Sequence, residues 1–414
     1  MTVTEQLGRR VKEASRQLAA LSSGKKNEAL AAVADAIWAR REEILAANAA
    51  DIAAGREAGL REGLIDRLTL TEERVSGICE AVRKLIALED PAGVIESGSV
   101  RPNGLRIEKV RVPIGAVGII FESRPNVAAD GAALCLKSGN AVLLRGGKEA
   151  IRSNTALVSV MRAAIAGCGL PEDSVLLVED TSRQSANEMM KLHGVLDLLI
   201  PRGGAGLIRA VVENATVPVI ETGVGNCHIY LEQTADPEMA ERITVNAKTS
   251  RVSVCNAAES LLVDEGCAEA LLPRVAKALM DRGVALRGCP KSCALVPGME
   301  PADEEDYGTE YLDYVMSVKV VSGLDEAIAH IARYSTGHSE AIVTRDYAAA
   351  ERFLNEVDSA AVYVNASTRF TDGGEFGLGA EIGISTQKLH ARGPMGLAAL
   401  TTCKYKVYGS GQIR

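Results

Sequence analysis

Residues 115–147, GAVGIIFESRPNVAADGAALCLKSGNAVLLRGG, set two short apolar runs, Ala116–Phe121 and Ala141–Arg145, on either side of a stretch of helical length. Runs of five or six apolar residues next to glycines read as buried strands, and a helix-length spacer between them reads as a parallel crossover. The rhythm continues outward. Ser174–Val178, Asp197–Ile200 and Val217–Glu221 follow at helix-length spacing, and the pattern resumes after Cys227 with Ser260–Val263, Ser317–Val321, Ala341–Thr344 and Ala361–Asn365. This alternation predicts an α/β chain of two doubly wound parallel-sheet lobes with helices on both faces, divided near residue 225.

Upstream, Leu7, Val11, Ala14, Leu18 and Leu21 fall on one helical face, and Leu30, Val33 and Ile37 repeat the pattern. The first ninety residues therefore read as amphipathic helices. In SVRPNGLRIEKVRVPIG, residues 99–115, Asn103-Gly104 between extended segments predicts a β-hairpin over about 95–113. The Gly-rich TDGGEFGLGAEIG, residues 371–383, precedes a predicted strand at Leu400–Val407 that pairs with the hairpin. The division follows as 1–225, 226–365 and a return segment 366–414 that ends in this strand. No internal repeat, low-complexity segment or long linker interrupts the chain, so the lobes are expected to pack closely.

Composition narrows the function. The 414 residues are 47% hydrophobic and 24% charged, ordinary for a globular chain, with net charge -8 and no cluster of Lys or Arg. Such a surface repels nucleic acid and anionic lipid, leaving small-molecule chemistry. The longest apolar run, Val112–Phe121, is about half of the ~20 residues a membrane helix needs. The charged N-terminus lacks a signal core, and nine scattered cysteines fit reduced thiols; together these predict a cytoplasmic protein.

Several chemistries drop out. Gly377-Leu378-Gly379 is followed by a glycine one position too late for the dinucleotide fingerprint. Ile200-Pro201-Arg202-Gly203-Gly204-Ala205-Gly206 retains the composition of a phosphate-binding turn, although alone it is equally a plain turn. Cys289 and Cys293 have no second ligand pair, so no metal is implied, and no Gly-x-Ser-x-Gly elbow occurs. Cysteine remains as the nucleophile candidate, and among nine thiols Cys255 stands apart by its setting. NAKTSRVSVCNAAESLLV, residues 246–263, sets it in a short loop after a helix and before a strand, with Arg251 nearby to favour thiolate.

That helix, cysteine loop and strand, preceded by Glu221-Thr222-Gly223-Val224-Gly225-Asn226, resemble the nucleophile region of the aldehyde dehydrogenase superfamily. Arg124-Pro125-Asn126 resembles its asparagine loop, which implies an oxyanion role for Asn126. Ser138–Arg145 is similar to the segment whose basic residue reaches the adenosine ribose, Arg202-Gly203-Gly204 to the pyrophosphate turn, and Glu310-Tyr311-Leu312-Asp313 to the segment holding the nicotinamide ribose. The hairpin and C-terminal strand resemble elements that pair between subunits, implying a homo-oligomer. Two departures are Val252-Ser253 ahead of the cysteine and Arg145-Gly146-Gly147-Lys148 in place of Lys-Pro.

Two further stretches, Ala327–Ile342 and Phe370–Gly374 with Leu389–Leu397, resemble the γ-glutamyl phosphate reductase family. The resemblance implies reduction of γ-glutamyl phosphate to glutamate 5-semialdehyde through a Cys255 thioester, in proline biosynthesis. It further implies NADPH, with Arg145 and Lys148 for the 2′-phosphate, Gly203 and Gly204 for the pyrophosphate and Glu310 for the ribose. Arg124 and Arg251 are candidates for the substrate phosphate, and transient contact with glutamate 5-kinase belongs to the same expectation. Glu221 stands where aldehyde-oxidising relatives keep a hydrolytic base, so an NAD-dependent hydrolytic dehydrogenase is the nearer alternative. A non-catalytic scaffold is the farther one, disfavoured by intact Cys255, Asn126 and Glu310. His330 and His338 receive no catalytic role.

Overall fold

Thr2, Ser22 and Thr71 each accept a backbone N–H at the start of a helix, and these caps open three of the five helices that precede the first strand. Val11, Ala14, Leu18, Leu30, Val33 and Ile37 are buried, as the periodicity requires. In the computed structural model, which describes residues 1–414, the chain forms two compact units. The first comprises Met1–Thr222, Gly377–Gly383 and Met395–Arg414, and the second Gly223–Phe376 and Ile384–Pro394.

In the first unit, the hairpin strands β1 (Ile95–Val100) and β2 (Arg106–Pro113) are antiparallel. Gly104 at the turn has φ +88°, the left-handed backbone that favours glycine. Four parallel strands follow: β3 (Ala116–Phe121), β4 (Ala141–Arg145), β5 (Val175–Leu177) and β6 (Leu198–Arg202), in the order β5-β4-β3-β6. The chain thus steps outward from β3 to β5 and then reverses to the other side of β3. Ligands of open α/β sheets gather at such a reversal, beyond the carboxyl ends of the strands.

The second unit holds a seven-stranded sheet made of β7 (Cys227–Leu231), β8 (Ala258–Asp264), β9 (Ala285–Gly288), β10 (Glu300–Pro301), β11 (Val315–Val321), β12 (Ser339–Val343) and β13 (Ala361–Val364). The order is β10-β9-β11-β8-β7-β12-β13, parallel throughout. β7, β8 and β12 are buried along their whole length, the signature of strands covered on both faces. A short antiparallel pair, β14 (Ile384–Ser385) and β15 (Gly393–Pro394), also belongs here, whereas β16 (Thr401–Tyr408) returns to the first unit and pairs with β2.

Three expectations need correction. Val217–Glu221 is not a strand: Val219 alone bridges to Leu199, because Pro218 has no N–H for a ladder. The division falls at Gly223, not 225–226. The tail 366–414 is not one segment, for its backbone partners alternate: Met395 N–H bonds Gly383 O in the first unit, while Gly223 N–H bonds Ile384 O in the second. β16 pairs with β2 of the hairpin, as the sequence predicts.

Candidate active site

The asparagine loop of the first unit leaves β3 at Phe121, which pairs with Arg202 at the end of β6. Ser123 takes φ +41°, a backbone conformation that costs a non-glycine residue energy. Glu149 Oε1 accepts both the Ser123 N–H at 2.7 Å and its Oγ–H at 2.6 Å, and these two bonds hold the bend. Pro125, with its φ fixed, then leads into the helix Asn126–Lys137. Asn126 Nδ2 donates to Asp130 Oδ2 at 3.0 Å one turn along, so one amide proton is anchored and the second has a defined direction. Burial pushes the Asp130 carboxyl up to about 6, against the hydrogen bond from Asn126 and the charge of Arg202.

The candidate cofactor residues of this unit lie around the same strand ends. Gly204 caps the helix Ala205–Asn214, and its N–H donates to Glu122 Oε2 at 2.9 Å. A carboxylate therefore accepts from an N–H that the family resemblance implies for pyrophosphate. A Cβ on Gly203 would lie 2.5 Å from that oxygen, so a larger residue there would push the Glu122 carboxylate aside. Arg145 donates from Nη2 to Thr181 O at 2.7 Å and Ser182 O at 2.9 Å. Burial lowers its pKa while Glu149, Asp180 and Glu122 pull the other way. Lys148 is exposed just beyond, and Arg124 is half-buried in the asparagine loop.

In the second unit, Cys255 lies in the loop between the helix Pro237–Thr249, capped by Asp236, and β8. Gly225 is pressed against this loop: a Cβ there would lie 1.5 Å from Cys255 O. The Cys227 thiol donates to that same carbonyl at 3.2 Å from the start of β7, and burial holds the thiol protonated. Asn226 extends the support by donating from Nδ2 to Tyr307 O and Tyr334 O, each at 2.8 Å. Glu310 Oε1 accepts Gly225 N–H at 2.7 Å, so the candidate ribose-binding carboxylate and the cysteine loop share one glycine.

Behind the loop, Lys248 Nζ lies 2.5 Å from Glu259 Oε2 in a fully buried pair. Burial raises Glu259 to about 7 and lowers Lys248. Glu259 Oε1 also accepts Leu312 N–H at 3.1 Å, securing a residue with φ +54° beside Glu310. His330 and His338 are buried, and desolvation depresses them to about 3 and about 4, so both are neutral. Arg251 is exposed ahead of Cys255, and Glu221 is half-buried near the end of the first unit's long segment.

The structure thus gathers Asn126, Arg124, Arg145, Lys148, Gly203 and Gly204 in the first unit and Cys255, Arg251 and Glu310 in the second. Sequence reasoning missed Glu122, Asp130, Glu149, Cys227, Asn256 and Arg369. Of these, Asp130 alone carried a local signal, four residues after Asn126 on a helix.

Comparison with known proteins gives a consistent result. The model of the aldehyde dehydrogenase family matches residues 4–285. The γ-glutamyl phosphate reductase of Heliobacterium modesticaldum is 59% identical over 407 residues, covering 98% of each chain. That of Carboxydothermus hydrogenoformans is 60% identical over 408 residues, covering 99% of this chain and 98% of the relative. The crystal structure of the γ-glutamyl phosphate reductase from Thermotoga maritima superposes with a TM-score of 0.98 at 51% identity, covering 100% of both chains. An acetylating aldehyde dehydrogenase from Geobacillus thermoglucosidasius shares the fold, with a TM-score of 0.71 at 16% identity over 99% of this chain and 97% of that one.

Proposed function

The chain belongs to the aldehyde dehydrogenase family and, within it, to the γ-glutamyl phosphate reductases, and from that premise we propose that it reduces γ-glutamyl phosphate to glutamate 5-semialdehyde and phosphate in proline biosynthesis. The observation that carries this reading is the identity of 59–60% along nearly the whole chain to proteins bearing that name. Cys255, in a half-buried loop fixed by Gly225 and Cys227, is the nucleophile.

Its thiolate attacks the acyl carbon, the C–O bond to phosphate breaks, and phosphate leaves with the electron pair, giving a thioester. The oxyanion that forms accepts the Asn126 amide proton not engaged by Asp130. A nicotinamide cofactor held by Glu310 and the Gly203-Gly204 turn would supply hydride to the thioester carbon, leaving a thiohemiacetal on Cys255. Collapse of the thiohemiacetal breaks the C–S bond and returns the thiolate of Cys255.

NADPH is the form proposed. The Gly203-Gly204 turn suits its pyrophosphate, since Gly204 N–H already binds the carboxylate of Glu122, and Glu310 is the candidate for the ribose. Exposed Lys148, with Arg145, offers cationic charge to the 2′-phosphate. Arg124 and Arg251 are proposed for the substrate's own phosphate. The three-stranded sheet β1-β2-β16 has two outer edges that suit a homo-oligomer. No helix is long and apolar enough to cross a membrane, and all nine cysteines are free thiols, in keeping with a cytoplasmic setting. An acyl phosphate is labile, which gives a reason for transient contact with the kinase that forms it.

The test is NADP-dependent oxidation of glutamate semialdehyde with and without inorganic phosphate. We expect strict phosphate dependence, and loss of turnover in Cys255→Ala with cofactor binding retained. Oxidation that proceeds equally well without phosphate would instead favour the hydrolytic alternative with Glu221 as base.

A further inference from the structure

We propose that Arg369, paired with Arg251, binds the phosphate group that departs from the acyl carbon on Cys255 and, in the reverse direction, attacks the thioester; the assignment rests on the acyl-phosphate reading above. Arg369 lies in the turn Thr368–Phe370 after β13, yet its side chain reaches back to the residues on both sides of the nucleophile. Nε donates to Ser250 Oγ at 2.9 Å, and Nη1 donates to Asn256 Oδ1. Asn256 reciprocates, its Nδ2 donating to Arg369 O at 3.3 Å and Thr371 O at 2.9 Å, while Thr368 Oγ1–H donates to Asn256 O at 2.8 Å. The guanidinium is therefore held in one place beside the cysteine loop by neutral partners.

Those two contacts engage two of the five N–H groups of a guanidinium, whose fork suits phosphate oxygens. The electrostatics point the same way. Burial lowers Arg369's pKa, the like charge of Arg251 lowers it further, and Cys255 opposes them more strongly than Asp372 does. Two guanidinium groups are thus near each other and near the nucleophile, a repulsive arrangement that a doubly charged anion would relieve. The sequence offered Arg251 for this task and gave no hint of Arg369, which is 113 residues from Asn256.

The decisive measurement is steady-state oxidation of glutamate semialdehyde with inorganic phosphate varied, for wild type, Arg369→Gln, Arg369→Lys and Arg251→Gln. Exposed Arg251 tests the site without disturbing the packed turn. We expect KM for phosphate to rise about ten- to a hundredfold in both Gln variants, the loss of a charge-assisted contact, with Arg369→Lys between them and wild type. KM for the aldehyde should move less than about threefold. A rise in aldehyde KM with phosphate KM unchanged would assign the arginines to the substrate carboxylate and overturn the proposal. A fall in kcat alone, at saturating phosphate, would reduce Arg369 to a staple of the loop and also overturn it. Wild-type oxidation that ignores phosphate would instead sink the acyl-phosphate reading itself.

Discussion

The two loops proposed to carry the reaction are secured by different means. Around Asn126 the fixing groups are carboxylates: Glu149 holds the strained Ser123, Glu122 ties the loop to Gly204, and Asp130 anchors the amide. Around Cys255 the closest supports are backbone fit and neutral groups, with Gly225 pressed on the cysteine carbonyl, a protonated Cys227 thiol and the Asn256 carboxamide, while Glu310, Arg369 and the Lys248–Glu259 pair act one step behind them. Charged supports are strong and titratable, while steric supports are indifferent to pH and intolerant of added atoms. The oxyanion side should therefore respond to protons and the nucleophile side to volume.

The largest expected effect is on the oxyanion side, where Asn126→Ala should lower kcat by roughly 10²- to 10³-fold with little change in KM. Rapid-quench measurement of thioester formation checks it, and a change confined to KM would remove Asn126 from the reacting oxygen. Next comes volume: Gly225→Ala sets a Cβ where Cys255 O now is, and a displacement of the nucleophile by an ångström or more should cost on the order of 10²-fold in kcat. Alkylation of Cys255 should slow in parallel, and an unaltered labelling rate would show that the loop yields without harm.

The smallest effect is the most discriminating. Asp130 accepts from Asn126 more strongly when ionised, and its carboxyl is raised to about 6, so kcat should decline as protonation weakens that bond and frees an O–H to compete, on lowering pH through about 6, and be restored above it. Asp130→Asn keeps an acceptor oxygen that does not titrate in this range, and should retain most of kcat while losing that acid limb. An acid limb unchanged in the variant would place the titration elsewhere and erase the contrast between the loops.

Much of this was legible in the chain. Parallel strands buried on both faces read as apolar runs, so β3, β4, β8 and β11 were recognisable within a few residues. The hairpin declared itself through Asn103-Gly104, and Cys255 through its place between helix and strand. What escaped notice depends on distant partners. β7 begins with Cys227 and His228, polar-looking until Glu340, 112 residues away, accepts the His228 N–H. β9 has four residues and carries Arg287, paired with Asp306, so neither length nor composition marks it. Val217–Glu221 had the composition of a strand, but Pro218 removed its donor. Asn126 and Glu310 were legible through family resemblance; Glu122, Glu149 and Arg369 act across the fold and leave no local pattern.

The alternating path of the C-terminal residues bears on how such a molecule can be taken apart. A cut after Thr222 would leave the first unit without Met395–Arg414, and with it the strand that lies along β2. A cut before Gly223 would likewise encumber the second unit with the stretch Gly377–Gly383, which packs elsewhere. Neither half corresponds to a single continuous stretch of gene. Recombination between relatives therefore cannot exchange one half by a single crossover: inheritance of the first unit from one parent requires its last twenty residues from the same parent.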